Sequence, residues 1–510
     1  MKERNYYLQT FLIFALASEF FYVIIALLGD LRAHIPAYLL CYAGAFIIYW
    51  IAAVTFFDFN TEKPDEHRAP AQVDPEQNRA RWLRDFLIRI KKQEALSSKE
   101  ILSIGIVFGV IFRITFLLAA PSLSDDIYRY IWDGKVSNSG INPFQYPPNA
   151  DELTPLRDQT IYPKINHRGI STIYPPVNQF IFWATYRISP TVFAFKVTFV
   201  LFDLFTIALL FLLLKTFAIK ATRILIYVWN PLIIVEIAGS AHSDIIGVFL
   251  LTLFLWLFVK RKIHWANVIL AVSFLTKYIT ILFLPLLFFF KRYSKILIVL
   301  IFLVVVAMLY LPYADAEKRL FEGLFVYSDK WQFNGSIFEL LLATIHPLLT
   351  EEMIVKVMIT PYGYSPDAET IATRGVDLAL LLSKLISAII YTGIFSYYLF
   401  RFQKDPTREQ ETGIFRIGLI LLGWFFLLNP TVQPWYLCWL LPLLVIVPER
   451  AWILLTGLVA LSYWILIDYT KLGIWQLPSW VLWLEYTPFY ALWFYDSASK
   501  TGRRKGFTKV

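Results

Sequence analysis

Cysteine is almost missing from this chain. The two that occur in 510 residues, Cys41 and Cys438, both lie inside apolar runs. Thiols there behave as small hydrophobes, so no disulfide framework constrains the fold. Charge is scarce too, at 17% of residues. No Gly-rich loop of the GxGxxG or GxxxxGK kind is present, which excludes the common phosphate-cradling loops for soluble nucleotides. No internal repeat and no low-complexity segment interrupts the chain, and no removable targeting peptide is evident: the first apolar run is too long for a secretory h-region and lacks a small-residue cleavage site. What fills the chain is hydrophobic residues (58%) and aromatic ones (18%), a composition far from that of a soluble domain.

Apolar runs of about 20 residues, the length that crosses a bilayer core, recur along nearly the whole sequence. Lys and Arg collect in short segments at the N-terminus, 58–98, 215–223, 260–262, 291–295, 401–410 and 499–510, and basic residues near span ends are held on the cytoplasmic side. The expectation is an all-α polytopic membrane protein with about 12 full transmembrane helices, near 7–28, 36–57, 100–120, 190–214, 222–238, 243–259, 296–312, 376–400, 413–428, 435–448, 450–467 and 480–495. Both termini are then cytoplasmic in a cell (inner) membrane. The apolar stretch between 260–262 and 291–295, interrupted by "TKY" (276–278), leaves and returns on one side and reads as a pair of half-spans. Lys277 at the interruption would face a wet cavity, because a charge at membrane depth is tolerated only there or against protein.

Three regions do not span. The 58–98 segment opens as a polar, Pro-bearing linker and continues as "RWLRDFLIRIKK". There Trp82, Leu83, Phe86, Leu87 and Ile90 share one helical face against Arg81, Arg84, Arg89 and Lys91, the pattern of a helix lying on anionic lipid. The net charge of +9 therefore calls for membrane lipid, not nucleic acid, as partner. The other two regions are large external loops, about 121–189 and 313–375, where chemistry has room. A division into 1–99 (two spans with a basic linker), 100–448 (a catalytic transmembrane module) and 449–510 (C-terminal spans and basic tail) follows.

The first external loop opens with "SDDIYRYIWDG" (124–134). A helix from about Asp126 gathers Ile127, Ile131 and Trp132 on an apolar face and lines up Asp125, Arg129 and Asp133 at i, i+4, i+8, as an amphipathic helix on the outer surface. Ser124, Asp125 and Asp126 also suit a helix start as cap and first-turn acids, and Gly140 suits its end. Polar clusters recur at "GINPFQYPP" (140–148), "TIYPPVNQFIFW" (172–183), "NPLIIVEIAGSAHSD" (230–244), "SFLTKYITILFLPLL" (273–287), "KWQFNGSIFELL" (330–341) and "NPTVQPWYLCWLLPLL" (429–444). The topology puts each on the outer face or in a buried break, which points to one external cavity.

The "DD..YRY.WDG......NPF.YPP" series from Asp125 to Pro148, "YPP" at 174–176, "NPL...E.AG..H.D" from Asn230 to Asp244, "TKY" before "LPLL" and "NP..QPWYL" from Asn429 resemble the GT-C superfamily of membrane glycosyltransferases. Within it they resemble bacterial mannosyltransferases that use a polyprenyl-phosphate sugar donor, over roughly residues 101–448. One departure stands out: two spans and a basic loop precede the acidic external loop, which in many members follows the first span, so the role of residues 1–98 stays open.

The resemblance implies hexosyl transfer, with mannose as the sugar, from a polyprenyl-phosphate donor to an external glycan or glycolipid acceptor, with inversion at the anomeric carbon. Asp126 or Asp125 would be the general base, two adjacent carboxylates at an apolar boundary raising at least one pKa. Arg129 and Lys277 would hold the donor phosphate. Trp435 and Tyr436 would stack on sugar rings; Asp133, Asn142, Tyr174, His242, Asp244, Asn334 and Gln433 are further candidates for sugar and acceptor binding. No cofactor is required outright, and a divalent metal on the donor phosphate, held by one of the aspartate pair with Asp244, is left open. The alternatives are a lipid-linked-sugar flippase or transporter, against which the one-sided polar clusters and absent inverted repeat speak, and an oligosaccharide ligase or polymerase.

Overall fold

The computed structural model describes residues 2–57, 81–290, 292–359, 367–404 and 412–506. The expected polar linker at 58–80 lies outside the described residues, and so do the side chains of the expected interfacial helix at 81–91, whose backbone is helical. Among the described residues the regular secondary structure is helical, with an isolated bridge between Phe333 and Thr431 in place of any strand.

The principal helices are α1 (Lys2–Leu27), α2 (Ile35–Phe56), α3 (Arg81–Leu117), α4 (Asp126–Asn138), α5 (Pro176–Ile188) and α6 (Val192–Thr216). After them come α7 (Ala221–Val228), α8 (Pro231–Gly239), α9 (Asp244–Val259), α10 (Ile263–Phe274), α11 (Tyr278–Leu287) and α12 (Lys295–Tyr310). The last are α13 (Glu322–Lys330), α14 (Ile337–Ile345), α15 (Ala368–Lys404), α16 (Gly413–Leu428), α17 (Pro434–Ile446), α18 (Arg450–Leu472) and α19 (Ser479–Gly506). Seven helical stretches are long and apolar enough to cross a membrane, and the α7–α8 pair, bent by 51°, would make an eighth. The expected crossings at 243–259, 413–428 and 435–448 are shorter apolar helices, and 480–495 falls within α19.

The two Asn-Pro motifs act locally. Asn230 accepts a hydrogen bond from the Leu232 N–H at 3.0 Å with Pro231 in the first turn, so the pair ends α7 and restarts the chain as α8 at a new angle. Asn429 accepts from the Thr431 N–H at 3.0 Å and turns the chain after α16. At "TKY" Lys277 is extended (φ −158°, ψ 124°), separating α10 from α11 as two short helices.

Inside the bundle, α1 packs on α2 and α3, α9 lies between α6 and α10, and α4 rests on α5 and α6. An ion pair between Arg113 of α3 and Asp203 of α6 sits at the centre. Arg113 also donates to the Val228 carbonyl at 2.8 Å, and Tyr227 donates to Asp203 at 2.7 Å. A buried charge is stable in such surroundings only when it is paired, so this cluster fixes α3, α6 and α7 against one another. On α12 the side chains of Leu300, Leu303 and Val304 are more than half exposed, the outward apolar surface that lipid would cover. Cys41 and Cys438 are free and buried.

Candidate functional site

Helix α4 starts at Asp126, with the Asp126 N–H donating to Ser124 Oγ at 3.3 Å. The Asp125 carboxylate makes no capping bond. It pairs instead with Arg32, 2.8 Å away, on the turn between α1 and α2. The expected surface helix is corrected here: Ile127, Tyr130, Ile131, Trp132 and Asp133 are all buried. Its aromatic content is the reason, since Tyr130 stacks on Phe182 of α5 with ring centroids 4.7 Å apart, while Trp132 packs against Tyr162, Leu153 and Ile165 in the loop that follows α4. Burying both faces gains more than wetting one. Gly140, at φ 76°, closes the helix as expected, in the left-handed conformation that glycine adopts without strain.

The N-terminus of α4 opens into a cavity of about 600 Å³. Of the residues expected at the site, it brings together Asp125, Asp126, Arg129, Tyr174, Asp244, Lys277, Gln433, Trp435 and Tyr436. Asp244, in the first turn of α9, accepts from Lys277 Nζ at 2.6 Å and Trp439 Nε1 at 2.8 Å. Lys277 Nζ lies 3.5 Å from the centre of the Tyr436 ring, a cation–π contact. Tyr436 and Tyr327 share a hydroxyl hydrogen bond at 2.6 Å. Asn166 Nδ2 donates to Asp126 Oδ1 at 3.4 Å. Burial pushes the Asp126 carboxyl above its ordinary value, opposed by His242 and Asn166. Burial likewise pushes the His167 imidazole down. Phe333, Ile465, Leu466 and Trp475 give part of the wall an apolar character. The arrangement offers a base, cations and an apolar surface within one chamber.

Four expected residues do not line the cavity. Asp133 is 1% exposed and accepts from Arg129 at 2.8 Å, Thr172 at 2.5 Å and Gln179 at 3.0 Å. It fixes Arg129 from behind and has no carboxylate oxygen free for a sugar. Asn142 donates to Asp315 and to the Tyr313 carbonyl, tying the 121–189 and 313–375 loops together. Asn334 donates to Glu485 at 2.9 Å. His242 is fully buried beneath Trp435. All four are polar residues in or beside loops, and sequence spacing does not tell an inward face from an outward one.

The reading from residues alone missed Arg32, Asn166, His167 and Tyr463, all in the cavity wall, and the buried Glu236. Arg32 had a signal: a basic residue in a short segment that the charge rule places outside goes against that rule. The donor set does not suit the metal left open above. Asp125 is paired with Arg32 and Asp244 with Lys277, and among the described residues no group of three or more His, Cys, Asp or Glu could hold an ion.

Residues 86–291 match the family model described as alpha-(1->6)-mannopyranosyltransferase, N-terminal domain (MptA_B family). No curated protein and no solved structure matches the chain. The matched stretch carries α4, Glu236, His242, Asp244 and Lys277.

Proposed function

We propose, on the premise that residues 86–291 belong to a GT-C-type mannosyltransferase family, that this protein transfers mannose from a polyprenyl-phosphate donor to a glycan or glycolipid acceptor outside the cell membrane, inverting the anomeric carbon. Asp126 takes the proton of the attacking acceptor hydroxyl as the new bond to the anomeric carbon forms. The bond from that carbon to the phosphate oxygen breaks, and its electron pair leaves with polyprenyl phosphate. Lys277, Arg129 and Arg32 stabilise the negative charge that develops on the phosphate. Trp435, Tyr436 and Tyr174 offer faces and hydroxyls for sugar rings, with Gln433 as a hydrogen-bond partner.

The observation that carries this reading is the shared cavity: the Asp126 carboxyl opens into the same chamber as Lys277 and Arg32, in a membrane-type helical bundle. The apolar wall at Ile465, Leu466 and Trp475 suits the first isoprene units of a lipid-borne donor. A lipid donor also accounts for a sugar supply in a chain with no nucleotide-binding loop.

The test is transfer of labelled mannose from polyprenyl-phosphate mannose by the purified protein in lipid vesicles. Asp126→Asn is expected to lower the rate by about 100-fold or more, with thermal unfolding unchanged. A wild-type rate in both Asp126→Asn and Asp125→Asn removes the proposed site. Movement of labelled lipid across the vesicle with no new glycosidic bond would make the protein a flippase.

A further inference from the structure

Beneath Trp435, next to Asp126, lies a set of buried polar groups that the transfer reaction above does not use. The chain from Ile234 to Gly239 forms a π-helical turn, and Ala241 follows at φ 61°, a left-handed conformation uncommon for a residue with a side chain. This irregular backbone turns Glu236 and His242 towards each other. The His242 N–H donates to the Glu236 carbonyl at 3.0 Å, and its Nε2 lies 3.3 Å from Glu236 Oε2. Its Nδ1 lies 3.7 Å from Asp126 Oδ2. Tyr463 of α18 donates its hydroxyl to the Glu236 carboxylate, at 2.7 and 2.9 Å from the two oxygens. Trp435 covers the imidazole with its ring centroid 3.6 Å away and the planes 15° apart. Both Glu236 and His242 have no exposed surface.

Each ring nitrogen of His242 lies within 4 Å of a carboxylate oxygen, and neither makes a hydrogen bond. A neutral imidazole would turn a lone pair on one carboxylate, whereas a ring carrying a proton on both nitrogens would attract both through charge. The stacked indole favours the cation as well. The 3.7 Å gap is long for a hydrogen bond, but it lies within the range over which an opposite charge stabilises a carboxylate. Resting on the reading of Asp126 as the base, we propose that His242, backed by Glu236 and Tyr463, acts through Asp126 by setting its orientation and the pH at which it ionises; it is a positioning residue and not a sugar ligand.

Asp126 needs such a partner. Asp125 on its own helix and Asp244 on α9 add negative charge, and their cations Arg32 and Lys277 are engaged with them. Arg129 is committed to Asp133. The other ionisable groups near Asp126 are His167 and the phenols of Tyr130, Tyr174, Tyr327 and Tyr436. Near Glu236 stand Tyr38, Tyr42 and Cys438. Phenols and thiols carry no charge near neutral pH, and burial pushes the His167 imidazole down, so His242 is the group left to face Asp126.

The test is the pH profile of kcat at saturating donor for the wild-type protein, His242→Gln, Glu236→Gln and Asp126→Asn in lipid vesicles. Removing the His242 imidazole, or the carboxylate behind it, is expected to move the acid limb up by about one pH unit. The rate then falls about tenfold below the limb and recovers at alkaline pH, with the donor KM unchanged. Glu236→Gln keeps the side-chain volume and a partner for Tyr463, so it decides alone if His242→Gln does not fold. An acid limb at the wild-type pH in the folded variants, or an effect confined to KM, overturns the proposal. An active Asp126→Asn overturns the base itself, an outcome distinct from an inactive Asp126→Asn with unshifted limbs elsewhere.

Discussion

Gly134, the last residue of "SDDIYRYIWDG", is where a single methyl group should do the most damage for its size. A Cβ built there lies 2.6 Å from the Phe182 carbonyl oxygen and 2.9 Å from Tyr186 Cβ. Ordinary carbon–oxygen contacts are about 3.3 Å, so Gly134→Ala intrudes by about 0.7 Å on the backbone of α5, which cannot rotate away as a side chain would. Helix α4 has to lift off α5, at a cost of about 1–3 kcal/mol typical of overpacking. Asp126 sits eight residues earlier on the same helix, about 12 Å along its axis, and a rigid helix carries part of the shift to the carboxyl. Because a misplacement of about 1 Å costs about 100-fold in rate, the expected loss in kcat is roughly 10- to 100-fold. The assay pairs mannose transfer with thermal unfolding in detergent. Gly393 on α15 provides the contrast: nothing lies within 4 Å of its built Cβ, and Gly393→Ala should stabilise the helix by about 0.5–1 kcal/mol. A wild-type kcat in Gly134→Ala would refute the claim that contact between α4 and α5 sets the position of the base.

Asp133→Ala removes the carboxylate that pairs with buried Arg129, and leaving that charge uncompensated should lower stability by about 3–5 kcal/mol, seen as a reduced unfolding temperature. Arg32→Met breaks an ion pair whose side chains are 22% and 26% exposed, so the folding cost should stay below about 1 kcal/mol. If Arg32 also meets the donor phosphate, kcat/KM should drop roughly 10- to 100-fold, a split between stability and activity that kinetics on intact vesicles would resolve. Burial raises the Asp126 carboxyl and transfer needs it ionised, so the rate should fall as pH decreases, at a pH above the ordinary carboxylate range. A pH-rate profile with no acid limb above that range would count against Asp126 as the base.

Much of the helical layout was legible because it depends on local chemistry. Apolar runs, the Asn-Pro turns at Asn230 and Asn429, the helix start at Asp126 and its stop at Gly140 are each set by a few neighbouring residues. The interruption at Lys277 was legible for the same reason. Span length was less so, since bends such as the 51° turn between α7 and α8 depend on what packs around them. The site divides similarly. Asp126, Asp244 and Lys277 drew notice as charges at apolar boundaries, whereas Glu236 stands in the motif from Asn230 to Asp244 with no role assigned to it, and Arg32 lies outside the stretch that carries the resemblance.

By itself the sequence determined that this chain is a bundle of apolar helices and that its acids and cations collect near the ends and breaks of those helices, because hydropathy and turn chemistry act over a few residues. Only the tertiary structure decided that Asp133 is an anchor for Arg129, that His242 sits under Trp435 between two carboxylates, and that Arg32 from the α1–α2 turn meets Asp125. Those relations join residues far apart in the chain, and which side of a polar residue faces the cavity is fixed by the partners that packing brings to it.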